Sequence, residues 1–308
     1  MSMADMDGLI WFDGEMVPWK EAKIHVLTHT LHYGMGVFEG IRAYETANGP
    51  GIFRLQEHTD RLFDSAQIMN MHIPFSKDEI NEAIKASVRV NNLPSAYIRP
   101  LVFFGSEGMG LRATNLKVHV VAAAWSWPAY MSKEALEVGI KVRTSSYTRH
   151  HVNISMCKAK ATGHYINSTL ALQEALSGGA DEALLLDNEG YVAEGSGENI
   201  FLAKNGILYT PELASCLNGI TRATVMALAE ELNLEVREKR ITRDEVYIAD
   251  EAFFTGTAAE IVPIHILDDR VIGTGKRGPI TEKLQKMYFD QVMGKRDRNP
   301  EWITLVTD

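Results

Sequence analysis

The stretch 158–199, KAKATGHYINSTLALQEALSGGADEALLLDNEGYVAEGSGEN, opens on a lysine and closes on a glutamate, both in settings that could carry chemistry. Lys160 stands where a strand reads into a helix. A lysine whose pKa is lowered by burial or a neighbouring cation can act as a covalent catalyst through its amine. Glu194 sits in a tight glycine-flanked turn, EGSGEN. One lysine, one glutamate and one arginine (Arg99) among many are ordinarily solvated, so residue type alone favours the bland reading of each. Gly219-Ile220-Thr221 lies where a helix begins, and free backbone N–H groups with the helix dipole suit a phosphate there. Simple capping by Thr221 is the competing reading. Arg61 falls on a predicted helix face, where a solvated arginine is the usual outcome. The loop GSEGMG lacks the Lys-Ser/Thr of a nucleotide-phosphate loop and supports no nucleotide site. His150, His151 and His164 form no ligand set, so no metal is expected.

These residues must be positioned by a mixture of hairpins and helices. Residues 9–26 read as a hairpin about Asp13-Gly14, and Lys204-Asn205-Gly206 marks a second one. Leu55, Leu62, Ala66 and Met69 recur at helical spacing over 55–70. Ser76 and Glu79 spell a capping box for a helix over 76–91. Strands are expected at 37–46, 96–104 and 117–125, and helices at 161–176, 219–232, 242–249 and 278–293 with a polar tail beyond. Between the helices lie strands at 138–146, 182–187, 190–194, 199–203, 207–210, 234–240 and 251–255, and a pair over 261–272. Regular βαβ alternation is missing, which makes this α+β rather than doubly wound.

At 308 residues the chain exceeds a usual single core, so two domains are expected: 1–127, a linker at 128–136, and 137–308. The formal net charge of -9 argues against a nucleic-acid partner, which needs clustered Lys and Arg. Two cysteines, Cys157 and Cys216, make no disulfide framework and suit a reducing cytosol. The start, MSMADMDGLIWF, has no signal-peptide pattern, and no run approaches the roughly 20 apolar residues of a membrane span. A cytoplasmic protein with no membrane partner is the expectation.

Several motifs together resemble one family. WFDGEMVPW, LHYGMGVFEGIRAY, FRLQEHTDRLFDSA, SAYIRPLVFFGSEGMGL, KATGHYINSTL, EGYVAEGSGENIF, LNGITRATV and FFTGTAAEIVPI occur in order over residues 10 to 280. In this the chain resembles the branched-chain amino-acid aminotransferases of the pyridoxal-phosphate fold type IV group. The resemblance implies a two-domain α+β fold with a smaller N-terminal domain and a larger C-terminal domain with a barrel-like mixed sheet. It implies pyridoxal 5′-phosphate as cofactor and reversible, ping-pong exchange of an amino group between leucine, isoleucine or valine and 2-oxoglutarate.

Residue by residue, the resemblance makes Lys160 the lysine that carries the cofactor, with Lys158 a decoy two positions earlier. It makes Glu194 the partner of the pyridine nitrogen and Tyr165 the partner of the phenolic oxygen. Arg61, Leu217, Gly219, Ile220, Thr221, Gly256 and Thr257 complete the cofactor set, most of them as a phosphate cup. Arg99 and Tyr33 would take the distal carboxylate of glutamate, and Tyr97 with Thr257 and Ala258 the α-carboxylate. Phe38, Tyr33, Tyr130, Tyr165 and Leu111 would wall an apolar pocket, Tyr33 and Leu111 coming from a neighbouring subunit. The implied assembly is a homodimer at minimum, with a hexamer (a trimer of dimers) left open. Rivals within the fold are D-amino-acid aminotransferases, aminodeoxychorismate lyases and (R)-amine transaminases; a non-catalytic phosphate-ligand binding protein is the rival from another class. Thr162, His164, Phe104 and Ser106 depart from the family pattern.

Overall fold

A computed structural model of the chain describes residues 2–127 and 132–307. The chain forms two compact units: Met1–Pro128 with Ala159–His164 and Gln291–Asp308, and Ala129–Lys158 with Tyr165–Asp290. This division differs from a linear one in two segments, for physical reasons given below.

The first unit contains β1 (Leu9–Phe12), β2 (Glu15–Pro18), α1 (His29–Tyr33), β3 (Gly36–Phe38), β4 (Ile41–Thr46) and β5 (Gly49–Phe53). It continues with α2 (Leu55–Ile68), α3 (Lys77–Arg89), β6 (Ala96–Phe104) and β7 (Val118–Trp125). The first hairpin turns through Asp13 and Gly14, both at positive φ, between Phe12 and Glu15 in register. That two-residue turn matches the twist of its strands, so the dipeptide alone is enough to specify it. α3 carries the expected capping box: the Ser76 hydroxyl accepts from the Glu79 N–H, and the Glu79 carboxylate accepts from the Ser76 N–H. Leu55, Leu62 and Ala66 of α2 are buried, as their spacing predicts. α2 and α3 cover one antiparallel sheet, and Ile41, Ile52, Ile84, Ile98, Val102 and Val120 are among its core residues.

The second unit's first helix is α4 (Lys133–Glu137), whose first four residues fall inside the expected linker; the Ser132 hydroxyl accepts from the Ala135 N–H and starts it. There follow β8 (Ile140–Thr144), α5 (Tyr165–Ser177), β9 (Glu182–Leu186), β10 (Val192–Gly195), β11 (Asn199–Lys204) and β12 (Ile207–Thr210). α6 (Ile220–Glu231), β13 (Val236–Glu238), α7 (Arg243–Tyr247), β14 (Glu251–Gly256), β15 (Glu260–Leu267), β16 (Arg270–Val271) and α8 (Pro279–Val292) complete it. The second predicted hairpin joins β11 to β12 through Asn205 and Gly206, again at positive φ. The sheet order is β10-β9-β8-β15-β14-β11-β12-β13, with β16 on β15, and it mixes parallel and antiparallel pairs. α5 lies on β9 through Ala171, Ala175 and Ala183, while α6 lies on β14.

Two departures from the sequence reading have long-range causes. α5 starts at Tyr165 rather than 161, because residues 159–164 belong to the first unit. There Ala161 bridges Val37 and a 3-10 turn runs over Thr162–His164. The polar tail is not loose either. Its strand β17 (Ile303–Leu305) pairs antiparallel with β5 and ends the sheet order β17-β5-β4-β6-β7-β1-β2, with β3 on β6. Trp302 fixes this tail: its ring meets Phe53 edge-on at 6.1 Å and lies under the Arg54 guanidinium at 4.4 Å. Among the described residues no helix is long and apolar enough to cross a membrane. Trp302→Ala is expected to destabilise the first unit by about 3–5 kcal/mol, the usual cost of emptying a buried aromatic site. Urea unfolding measures this, and an unchanged midpoint would contradict the docking of the tail.

Candidate active site

Each unit carries part of the predicted set. In the first, the segment at Lys160 is held by its main chain. The Phe38 N–H donates to the Lys160 carbonyl at 3.0 Å, and the Lys160 N–H donates to the Ser65 hydroxyl at 3.0 Å. The Thr162 hydroxyl donates to the Gly34 carbonyl at 2.8 Å, so one of the departures from the family pattern helps anchor the segment. Gly34 has φ 68, and a Cβ there would stand 3.0 Å from the Gly163 Cα, so glycine is required on both counts. Ala159 and Ala161 are buried on either side of a half-buried Lys160. The backbone is thereby fixed while the side chain reaches out, with Nζ 5.1 Å from the centre of the Phe38 ring.

The same ring supports Arg99, whose Cζ lies 4.7 Å from its centre. Arg99 Nη2 donates to the Tyr97 hydroxyl at 3.3 Å, but its Nε is buried without a hydrogen-bond partner among the described residues. A buried, unmatched guanidinium N–H is costly, by about 1–3 kcal/mol or more, and asks for an acceptor. Phe38, Tyr97, Arg99 and Lys160 thus come together. Tyr33 and Leu111 make a separate group: the Tyr33 hydroxyl accepts from the Gly110 N–H at 3.1 Å, and Leu111 is 88% exposed. Tyr130 lies outside the described residues.

Arg61 does not point into solvent. Its Nε and Nη2 donate to the two oxygens of Glu39 at 2.7 and 2.9 Å, and His58 Nδ1 meets the same carboxylate at 2.7 Å. Burial pushes the Glu39 carboxyl up, yet the Arg61 guanidinium and the His58 contact outweigh it and hold the pKa far below the carboxylate range. Burial also lowers the His58 pKa, which the attraction of Glu39 offsets only in part. Because the carboxylate can only accept, the imidazole donates through Nδ1. Sequence reasoning missed Glu39 and His58. The signals were an acid in the apolar run GVFEGI and a histidine three positions before Arg61 on one helix face.

In the second unit Glu194 is buried at the end of β10. One oxygen accepts from Arg149 Nε at 2.8 Å; the other accepts from the Leu217 N–H at 3.2 Å and sits 3.5 Å from Asn199 Nδ2. Arg149 Nη1 goes on to Asn167 Oδ1 and the Ser168 hydroxyl, both at 3.1 Å, on the first turn of α5 behind Tyr165. Arg149 was also missed, since one arginine in the polar loop YTRHHVNISMC carries no local signal. Lys158, the decoy, gives its amine to the carbonyls of Leu213 and Cys216.

Asn199 Nδ2 also donates to the Leu217 carbonyl at 3.0 Å, which ties Glu194 to the loop before α6. The N-cap of α6 is Gly219, with no side-chain cap, so the capping role weighed for Thr221 is not present. A Cβ at Gly219 would meet Asn199 Oδ1 at 2.0 Å, which explains the glycine. Ile220 and Thr221 are buried at this uncapped start, whose N–H groups suit an anion. Gly256 ends β14 and Thr257 and Ala258 lie in the turn into β15, all three half-buried. Burial raises the thiol pKa of Cys157 and pushes that of Cys216 up to about 12, which disfavours the thiolate in both.

This donor set fits a phosphorylated pyridine aldehyde. Taken separately, the first unit offers an amine on a fixed backbone, and the second a buried carboxylate and a helix start without a side-chain cap, whose N–H groups suit an anion. Residues 36–267 match the family model described as Amino-transferase class IV. The branched-chain-amino-acid aminotransferase of Pseudomonas aeruginosa is 72% identical over 306 residues, 99% of this chain and 100% of that protein. A branched-chain amino acid aminotransferase from Escherichia coli, known from its crystal structure, superposes with TM-score 0.96 at 45% identity, covering 98% of this chain and 100% of that one. The T.th. branched-chain amino acid aminotransferase, crystallised with pyridoxamine 5′-phosphate, also gives TM-score 0.96, at 50% identity, covering 98% of this chain and 99% of that one. The fold is accordingly fold type IV, and with three-quarters of its length inside the family's bounds this chain belongs to the class IV amino-transferases.

Proposed function

We propose that the chain catalyses reversible transamination between branched-chain L-amino acids and 2-oxoglutarate, in ping-pong order, with pyridoxal 5′-phosphate as cofactor. Arg99 carries this reading. Its guanidinium stacks on Phe38 with a buried N–H left over, so an apolar wall and a latent carboxylate site occupy one place. A deeper cationic pocket would reject an aliphatic side chain, and a wall without arginine would reject the acid. When bound, the cofactor supplies an electron sink that weakens the substrate Cα–H bond.

The residues do the rest. Lys160 would hold the cofactor, and its amine would take and return the proton at the substrate Cα. Glu194 would pair with the pyridine nitrogen, and its own partner Arg149 keeps the carboxylate oriented. Arg61, Ile220 and Thr221 would receive the phosphate, and Leu217, Gly219, Gly256 and Thr257 complete the proposed cofactor set. Tyr165 serves the phenolic oxygen. Tyr97, Thr257 and Ala258 take the α-carboxylate, while Tyr33, Leu111 and Tyr130 extend the apolar wall. The exposure of Leu111 supports its being offered to a neighbouring subunit, which makes a homodimer the working unit; the compartment is the cytoplasm.

The near-visible band of the purified protein is expected to disappear with L-leucine and return with 2-oxoglutarate. A band answering only to D-alanine or an (R)-amine would overturn the substrate, and its presence in Lys160→Ala would overturn the role of the lysine. In that variant kcat should fall by about 10⁴-fold, the upper end for a positioned acid–base group. Arg99→Ala should cut kcat/KM for glutamate by about 30- to 1000-fold and for leucine by less than about tenfold. Equal losses in the two half-reactions would sink the assignment.

A further inference from the structure

We infer that Glu39, backed by His58, is a positioning residue for Arg61: it sets the plane in which the guanidinium receives the cofactor phosphate. This role rests on Arg61 being a phosphate ligand, as proposed above. Glu39 is fully enclosed, and its carboxylate takes three donors: Arg61 Nε, Arg61 Nη2 and His58 Nδ1. A fork-to-carboxylate pair with two parallel bonds fixes the plane of the guanidinium, which a single contact would not. With Nε and Nη2 turned to Glu39, the direction of Nη1 is set as well.

The helix that carries Arg61 also anchors the lysine. His58, Arg61 and Ser65 stand at i, i+3 and i+7 on one face of α2, and the Ser65 hydroxyl takes the Lys160 N–H at 3.0 Å. Glu39 itself follows Phe38, whose N–H holds the Lys160 carbonyl. One helix face therefore sets both the lysine backbone and the arginine plane.

Neither stability nor anion affinity alone explains the pair. Buried ion pairs are often no better than well-packed apolar side chains of the same volume. A carboxylate beside an anion site also works against the anion. What Glu39 contributes is preorganisation, so that the arginine loses little freedom when the phosphate arrives.

The full-length protein, stripped of cofactor, is titrated with pyridoxal 5′-phosphate and separately with pyridoxal, which lacks the phosphate, following tryptophan fluorescence. The ratio of the two dissociation constants reports phosphate recognition. Glu39→Gln keeps the shape and removes the charge; Glu39→Asp keeps the charge and retracts the oxygens by one methylene. Phosphate preference is expected to fall about tenfold in E39Q and about fivefold in E39D, with pyridoxal binding changed less than about twofold. The double variant E39Q/R61A should be no worse than R61A. If both Glu39 variants keep the preference while R61A loses it, Glu39 does not position Arg61 and the phosphate reading of Arg61 stands. If R61A keeps the preference, that reading fails and the role of Glu39 with it. A double variant clearly worse than R61A would mean that Glu39 acts through something else. Should E39Q not fold, E39D decides by the same criterion.

Discussion

The covalent role proposed for Lys160 would need a fixed main chain beneath the side chain. Here that requirement falls on six residues, 159–164, which follow and precede long stretches of the second unit but fold with the first. The Val37–Ala161 bridge and the bonds through Phe38, Ser65 and Gly34 supply the restraint. Much follows from it. Alanines flank Lys160 because both neighbours enter the core. Gly34 and Gly163 are small because their backbones touch. α5 begins four residues later than its sequence would allow, because the residues before it are already committed elsewhere.

The second organising feature is a buried carboxylate–arginine pair in each unit: Glu39 with Arg61, and Glu194 with Arg149. Removing charge from water is expensive, and mutual attraction repays it only where the remaining donors and acceptors are also met. Both pairs meet that condition, through His58 in one case and through Asn167, Ser168, Asn199 and the Leu217 N–H in the other. They are better understood as orienting devices than as stabilisers. In each, one member has a proposed duty toward the cofactor and the other fixes its direction.

What the sequence made legible divides along the range of the interaction responsible. The hairpins at Asp13-Gly14 and Asn205-Gly206 and the capping box at Ser76 are decided within four residues, so local chemistry sufficed. The strand at 303–305 depends on an edge about 250 residues away, and nothing polar in the tail announces it. The choice of Lys160 over Lys158 came from the motif that follows it. The structure adds that the Lys158 amine is held by two carbonyls. Glu39, His58 and Arg149 escaped because their meaning lies in partners distant in the chain, and a single charged residue carries no mark of its partner.

The Phe38 ring shows how one surface can serve two chemically opposed side chains. Two cations lie within about 5 Å of its centre, a geometry the ring quadrupole favours. Arginine suits the outer place because a planar, weakly hydrated guanidinium can stack on aromatic carbon without a water shell. Against an aliphatic substrate it then presents little that must be desolvated anew, since Nε is already buried. Against a carboxylate the same N–H would gain the acceptor it lacks among the described residues, and the cost of leaving it unmatched would become affinity for the acid. A lysine at this position would keep its water and exclude the apolar chain, so the dual specificity proposed for Arg99 would depend on the shape of the cation as much as on its charge.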